Sequence, residues 1–153
     1  MLSELSAAPS IFAIVVGINA YTALPGPESS VDDAKKVSAF LRDQLNATKI
    51  IELYDTDATK ENILQAITSL PSEDAFKPGD AVLFFFSGLA GKAPTEKADS
   101  FIGTICPVDT GEPTGKGSVR QTTGISDSTL VGLFDQISRS HGNNMVRDDA
   151  LHL

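Results

Sequence analysis

Few side chains in this sequence can do covalent chemistry. There is one cysteine, Cys106, and there are two histidines, His141 and His152. A thiolate beside an imidazole is the attacking unit of a cysteine peptidase: sulfur attacks the carbonyl, the ring carries the proton, and backbone N–H groups hold the oxyanion. No base stands near Cys106 in sequence, and the ordinary role of such a lone thiol is to pack as a small apolar group at a strand end. His141 opens the run His141-Gly142-Asn143-Asn144, which reads as a helix stop, so its expected role is at a helix end. One cysteine excludes an intramolecular disulfide, a redox pair and a cysteine-rich metal site. The glycine spacings G-x-G-x-x-G and G-K-[ST] are both absent, which leaves a nucleotide phosphate nothing to rest on. The acidic pair and later aspartate of a receiver domain are also missing.

The elements that must position these groups follow from hydrophobic period. The run Ile11 to Ile18 is continuous, apolar and β-branched, as in a central strand covered on both faces. Pro25, Gly26 and Pro27 make a loop. Ala34, Val37, Leu41 and Leu45 then recur at helical spacing, with Asp32 and Asp33 at the start, where a helix N-terminus favours negative charge. Lys49 to Tyr54 predicts a second strand. Thr59 can cap a helix striped by Ile63, Ile67 and Leu70, which Pro71 ends. Pro78-Gly79-Asp80 predicts a turn and Ala81 to Phe86 a third buried strand. Ser87 to Gly91 reads as the loop after it, Lys92 to Ser100 as polar and mobile, and Phe101 to Val108 as holding a short strand. Asp109 to Gly124 should be irregular. A last helix from Ser126 to about Arg139 buries Leu130, Leu133, Phe134 and Ile137, after which only Met145 and Val146 look strand-like. The alternation predicts an α/β protein, a three-layer α/β/α sandwich with a mostly parallel central sheet.

Composition bounds the function. The chain has 153 residues, of which 41% are apolar and 21% charged, which fits one globular domain. Its net charge of -8 comes without any run of Lys or Arg, so no nucleic-acid partner is expected. The first apolar run is too short to span a bilayer and has Glu4 before it, so neither a membrane span nor a signal peptide is expected. Together with cysteine scarcity this suits a reducing, cytoplasmic location.

Read together, these segments resemble the metacaspase and caspase-like cysteine peptidases (peptidase C14), in particular their large-subunit region. Phe12 to Tyr21 is similar to that family's opening strand, A-hydrophobic-hydrophobic-G-I-N-x-Y. Leu24-Pro25-Gly26 with Val31-Asp32-Asp33-Ala34 resembles its loop and V-N-D-A helix start, and Ala58 to Ile63 its A-T-x-x-N-I. Pro78-Gly79-Asp80 through Phe86-Ser87-Gly88 resembles P-G-D…F-S-G, and Ile105 to Asp109 reads I-C-P-V-D. Ile125 to Ile137, with the His-Gly-Asn-Asn turn, resembles the helix before the family's cysteine strand. No single segment carries the resemblance; their order from Ile11 to Asn144 does.

The resemblance implies a cysteine-type endopeptidase family of proteolysis and programmed cell death, and it also marks a departure. The family's histidine follows Ser-Gly, where this chain has Ser87-Gly88-Leu89. The family's cysteine segment would fall near Leu151 and His152, where the chain instead reads Val146-Arg147-Asp148-Asp149-Ala150. The expectation is therefore a catalytically inactive domain that acts by protein binding or regulation, with no catalytic residues. The alternatives are a fragment or isoform of an active endopeptidase cleaving after Arg or Lys, and a small-molecule-binding α/β domain. Leu89 weighs against the fragment reading, because truncation does not change an internal residue. Asp33 and Ser87 match residues that, in metacaspases, help line a pocket for a basic side chain, so a protein or peptide with basic residues is an expected partner. A sheet lacking the family's later strands should expose an edge for oligomer contacts. No metal or cofactor is expected, Asp148-Asp149 being a weak echo of the family's calcium sites. The implied organisation is a flexible N-terminus over 1–10, a caspase-like domain over 11–144 and a divergent tail over 145–153.

Overall fold

The computed structural model describes residues 9–21, 23–111 and 124–142 in full and residues 145–152 as backbone. Strand β1 is Ile11–Gly17, β2 Lys49–Tyr54, β3 Ala81–Pro94, β4 Phe101–Ile105, β5 Ile125–Ser126 and β6 Met145–His152. Helix α1 is Ser30–Asp43, α2 Lys60–Ser69 and α3 Asp127–His141. The fold is α/β, as the hydrophobic periods predict.

Strand β1 has no polar side chain, and each residue from Phe12 to Val16 is at most 1% exposed. Such a strand needs cover on both faces. Phe12, Ile14 and Val16 pack with Ile63 and Ile67 of α2, Leu130 and Phe134 of α3, and Phe84 and Phe86 of β3. Ala13 and Val15 pack with Ala34 and Leu41 of α1 and with Phe85. Helix α1 can face the sheet because its buried residues Val31, Ala34, Ser38 and Leu41 share one stripe. Thr59 and Ser126 cap α2 and α3: their side-chain oxygens accept from the N–H groups of Asn62 at 3.1 Å and Thr129 at 3.2 Å.

The sheet is mixed. β1 pairs in parallel with β2 and β3, and β3 pairs in parallel with β6. The β3–β4 and β4–β5 pairs are antiparallel. The strand order is β2-β1-β3-β4-β5, with β6 also on β3.

Two elements exceed what their residues signal. Ser87 to Gly91 reads as a loop, yet β3 runs on to Pro94 and returns as β4. Ala90, Gly91 and Ala93 have little strand preference of their own; the ladder to Phe101–Ile105 supplies it. Likewise β6 reaches His152, well past Met145 and Val146, by lying along β3. Most of the N-terminal segment expected to be flexible (1–10), and most of the irregular segment 109–124, lie outside the described residues. Among the described residues no helix is long and apolar enough to cross a membrane.

Candidate functional site

Because β1, β2 and β3 are parallel, their carboxyl ends share one rim of the sheet, the place where α/β proteins build sites. Hydrogen bonds tie these ends together. Asp55, just after β2, accepts through Oδ1 from the backbone N–H of Asn19 at 2.8 Å and of Ala20 at 2.9 Å. Asn19 in turn caps α1, its Oδ1 accepting from Val31 N–H at 3.0 Å. Ile18 N–H donates to the Ser87 carbonyl at 3.0 Å.

Tyr21 makes the rim's central contact. Leu89 N–H donates to the Tyr21 hydroxyl at 2.7 Å, and that hydroxyl donates to the Cys106 carbonyl at 2.8 Å. Cys106 N–H donates directly to the Leu89 carbonyl at 2.9 Å. Leu89 and Cys106 thus form the next rung of the β3–β4 ladder, with one of its two bonds routed through a phenol. Burial raises the Tyr21 pKa well above the ordinary phenol value of 10.0, so the hydroxyl keeps the proton it donates. Tyr21 belongs to the opening-strand resemblance, but no local pattern assigns it this role.

The residues singled out by sequence are placed as follows. Leu89 is half-buried against the core shared by β1, α2 and α3. Ser87 is fully buried, its backbone opposite Gly17 of β1. Asp33 is partly exposed in the first turn of α1, with the Ser29 hydroxyl 3.4 Å from Oδ2 and the Lys36 ammonium 4.0 Å from Oδ1. Cys106 is buried, and burial pushes its thiol pKa up, the opposite of what activates a nucleophile. A cavity of about 350 Å³ lies between the β3–β4 hairpin and the first turns of α2 and α3, lined in part by Lys60, Pro94, Ile102, Ile125 and Thr129. Asp33, Ser87 and Leu89 are not among its walls.

His141 stands at the opposite end of the sheet. It ends α3, its ring lies 4.9 Å from the Phe76 ring, and its carbonyl accepts from Gly79 N–H at 2.6 Å. Gly79 precedes β3, whereas Leu89 and Cys106 lie beyond Ala81 by roughly 26 Å of strand, at about 3.3 Å per residue. The backbone of His152, by contrast, is opposite Leu89 on β6.

A separate polar network joins the end of β2 to α1. The Tyr54 hydroxyl donates to Glu52 at 2.7 Å, Ser38 Oγ lies 3.2 Å from that hydroxyl, and Arg42 reaches Glu52 at 3.3 Å. Burial drives the Tyr54 pKa up to about 12. Burial alone would raise the Glu52 carboxyl, but hydrogen bonds from Tyr54 and Ser38 and the Arg42 guanidinium outweigh it and hold it below its ordinary 4.5. A carboxyl depressed on folding stabilises fully above its unfolded pKa and less as pH falls through the folded value. Between about pH 5 and about pH 3, Glu52→Gln should therefore lose less stability than the native chain. The difference should stay within about 1 kcal/mol, as for an exposed ion pair, when urea midpoints are compared.

Comparison with known proteins follows the same outline. The family model described as the metacaspase, peptidase C14 domain matches residues 12–131. No curated protein matches the chain. Among solved structures, the chain is similar to the crystal structure of protein GSU0716 from Geobacter sulfurreducens, with a TM-score of 0.56 and 20% identity. That match covers 82% of this chain and 44% of the other, and at this identity it speaks for the fold alone. The family match begins in β1 and ends within α3, so the sheet rim just described lies inside it, and the chain belongs to the metacaspase peptidase C14 family.

Proposed function

We propose that this member of the family is a catalytically inactive caspase-like domain, layered α/β/α, that acts by binding other proteins. Leu89 carries the reading. It stands where the resemblance puts the family's histidine, and an aliphatic side chain moves no proton. Its backbone is also engaged, the N–H by Tyr21 and the carbonyl by Cys106. The buried Cys106 thiol is held protonated, and His141 belongs to the far end of the sheet. Removing one member of a hydrolytic constellation commonly costs on the order of 10⁴ or more in rate. The remnant of the basic-residue pocket is Asp33 with Ser87. Asp33, partly exposed on α1, is the carboxylate that an Arg or Lys of a partner would meet.

Incubation of the chain with calcium and fluorogenic peptides ending in Arg or Lys should give no turnover above buffer. Cleavage that disappears in Cys106→Ala would overturn the reading.

One observation favours a second reading, an active cysteine endopeptidase with a rebuilt dyad. The Leu89 carbonyl meets the Cys106 N–H on one edge of β3, while β6 brings the His152 backbone along the strand's other edge. Under that reading both Cys106→Ala and His152→Ala abolish turnover in the same assay.

A further inference from the structure

Strand β6 is an ill-matched neighbour for β3. Its register sets Arg147, Asp148 and Asp149 opposite Phe84, Phe85 and Phe86. These phenylalanines lie at the centre of the molecule, exposed by 0%, 6% and 0%, with Phe84 and Phe86 in one core and Phe85 in the other. On the opposite edge of β3, β1 answers them with Ile14, Val15 and Val16. Successive strand positions alternate between faces, so three charged residues in a row bring charge to both faces of the sheet beside its apolar centre. The backbone ladder is the same whatever residues the strand carries, but a charged residue set beside an apolar centre is disfavoured unless paired.

We propose that β6 is a displaceable strand. It closes the Val82–Leu89 edge of β3 when the domain is alone. It gives way to an extended segment of another protein that carries apolar residues opposite Phe84, Phe85 and Phe86. In strand addition the main chain supplies affinity and alternate side chains supply specificity, and here β3 demands apolar ones. This rests on the binding role proposed above, but not on whether the domain cleaves peptides. A competing account makes the same charges a permanent guard against edge pairing, under which β6 never leaves.

Amide hydrogen exchange on the full chain separates these accounts. Amides of Met145–His152 should exchange about 100-fold or more faster than those of Phe12–Val16, as expected for local opening. The triple variant Arg147→Val, Asp148→Val, Asp149→Val should bring β6 to within about tenfold of β1. A synthetic peptide copying Met145–His152 with the same three substitutions should bind the native chain and displace β6. It should not bind the triple variant, and the unsubstituted peptide should bind neither. Exchange in native β6 as slow as in β1, or equal peptide binding to native and variant chains, would overturn the proposal. Should the variant not fold, exchange and the two peptides on the native chain still decide. Cleavage of basic peptides would sink the inactive-domain reading and leave this one standing.

Discussion

Gly17→Ala should destabilise the domain by about 3 kcal/mol, the upper range for overpacking a well-filled interior. A β-carbon built at Gly17 falls 2.6 Å from Ala34 Cβ, 2.8 Å from the Ser30 carbonyl oxygen and 3.0 Å from Val31 Cα. Two of these are backbone atoms in the first turn of α1, so no rotamer change relieves the clash and the helix itself must retreat. Retreat would open the core in which Ala34 and Leu41 meet Ala13, Val15 and Phe85. It would also loosen the Asn19 cap on Val31 N–H, because that cap depends on where the helix starts. Ala34→Gly in the same chain should recover only part of the loss, since the backbone contacts remain. Urea unfolding of the single and double variants measures both effects. A single variant within about 0.5 kcal/mol of the native chain, the usual range of a surface change, would mean that α1 does not seat on β1 as described.

The second large effect belongs to the rim. Tyr21→Phe removes the hydroxyl that serves both Leu89 N–H and the Cys106 carbonyl. Leaving a buried backbone group unpaired costs about 1–3 kcal/mol, so a loss of about 2–4 kcal/mol is expected if the ladder cannot close over the gap. Gly88 reports on the same contact from the other side. A β-carbon there would lie 2.5 Å from the Tyr21 hydroxyl and 2.9 Å from Phe86 Cζ, so Gly88→Ala should push the phenol off the rung. The two substitutions should not add. Once Tyr21→Phe has removed the hydroxyl, Gly88→Ala meets chiefly the tip of Phe86, and the double variant should be about 1–3 kcal/mol more stable than the sum of the singles predicts. Strict additivity would show that the phenol does not bridge Leu89 and Cys106. This matters for function, because the bridge fixes the backbone at the position that carries Leu89. With the rung held, the chemistry of the rim is decided by which side chains it presents.

Much of this molecule was legible in its residues one element at a time. The apolar run of β1, the stripe and early aspartates of α1, the Thr59 cap and the Ser126–Ile137 helix all announce themselves, because burial leaves a period of two or 3.6 along the chain. The order of segments from Ile11 to Asn144 carries the family resemblance, and Leu89 stands out against it. Tertiary structure decided what depends on residues far apart. The continuation of β3 through Gly91 to Pro94 needs β4 as its partner. The Tyr21 bridge spans 68 residues to Leu89 and 85 to Cys106, and no local pattern encodes such a bond. The placement of His141 at the Gly79 end and of β6 beside Phe84–Phe86 likewise follows from how strands assemble, not from the side chains of either segment alone. Local sequence reports which face of an element is buried; only the assembled sheet decides what that face, and each strand edge, is buried against.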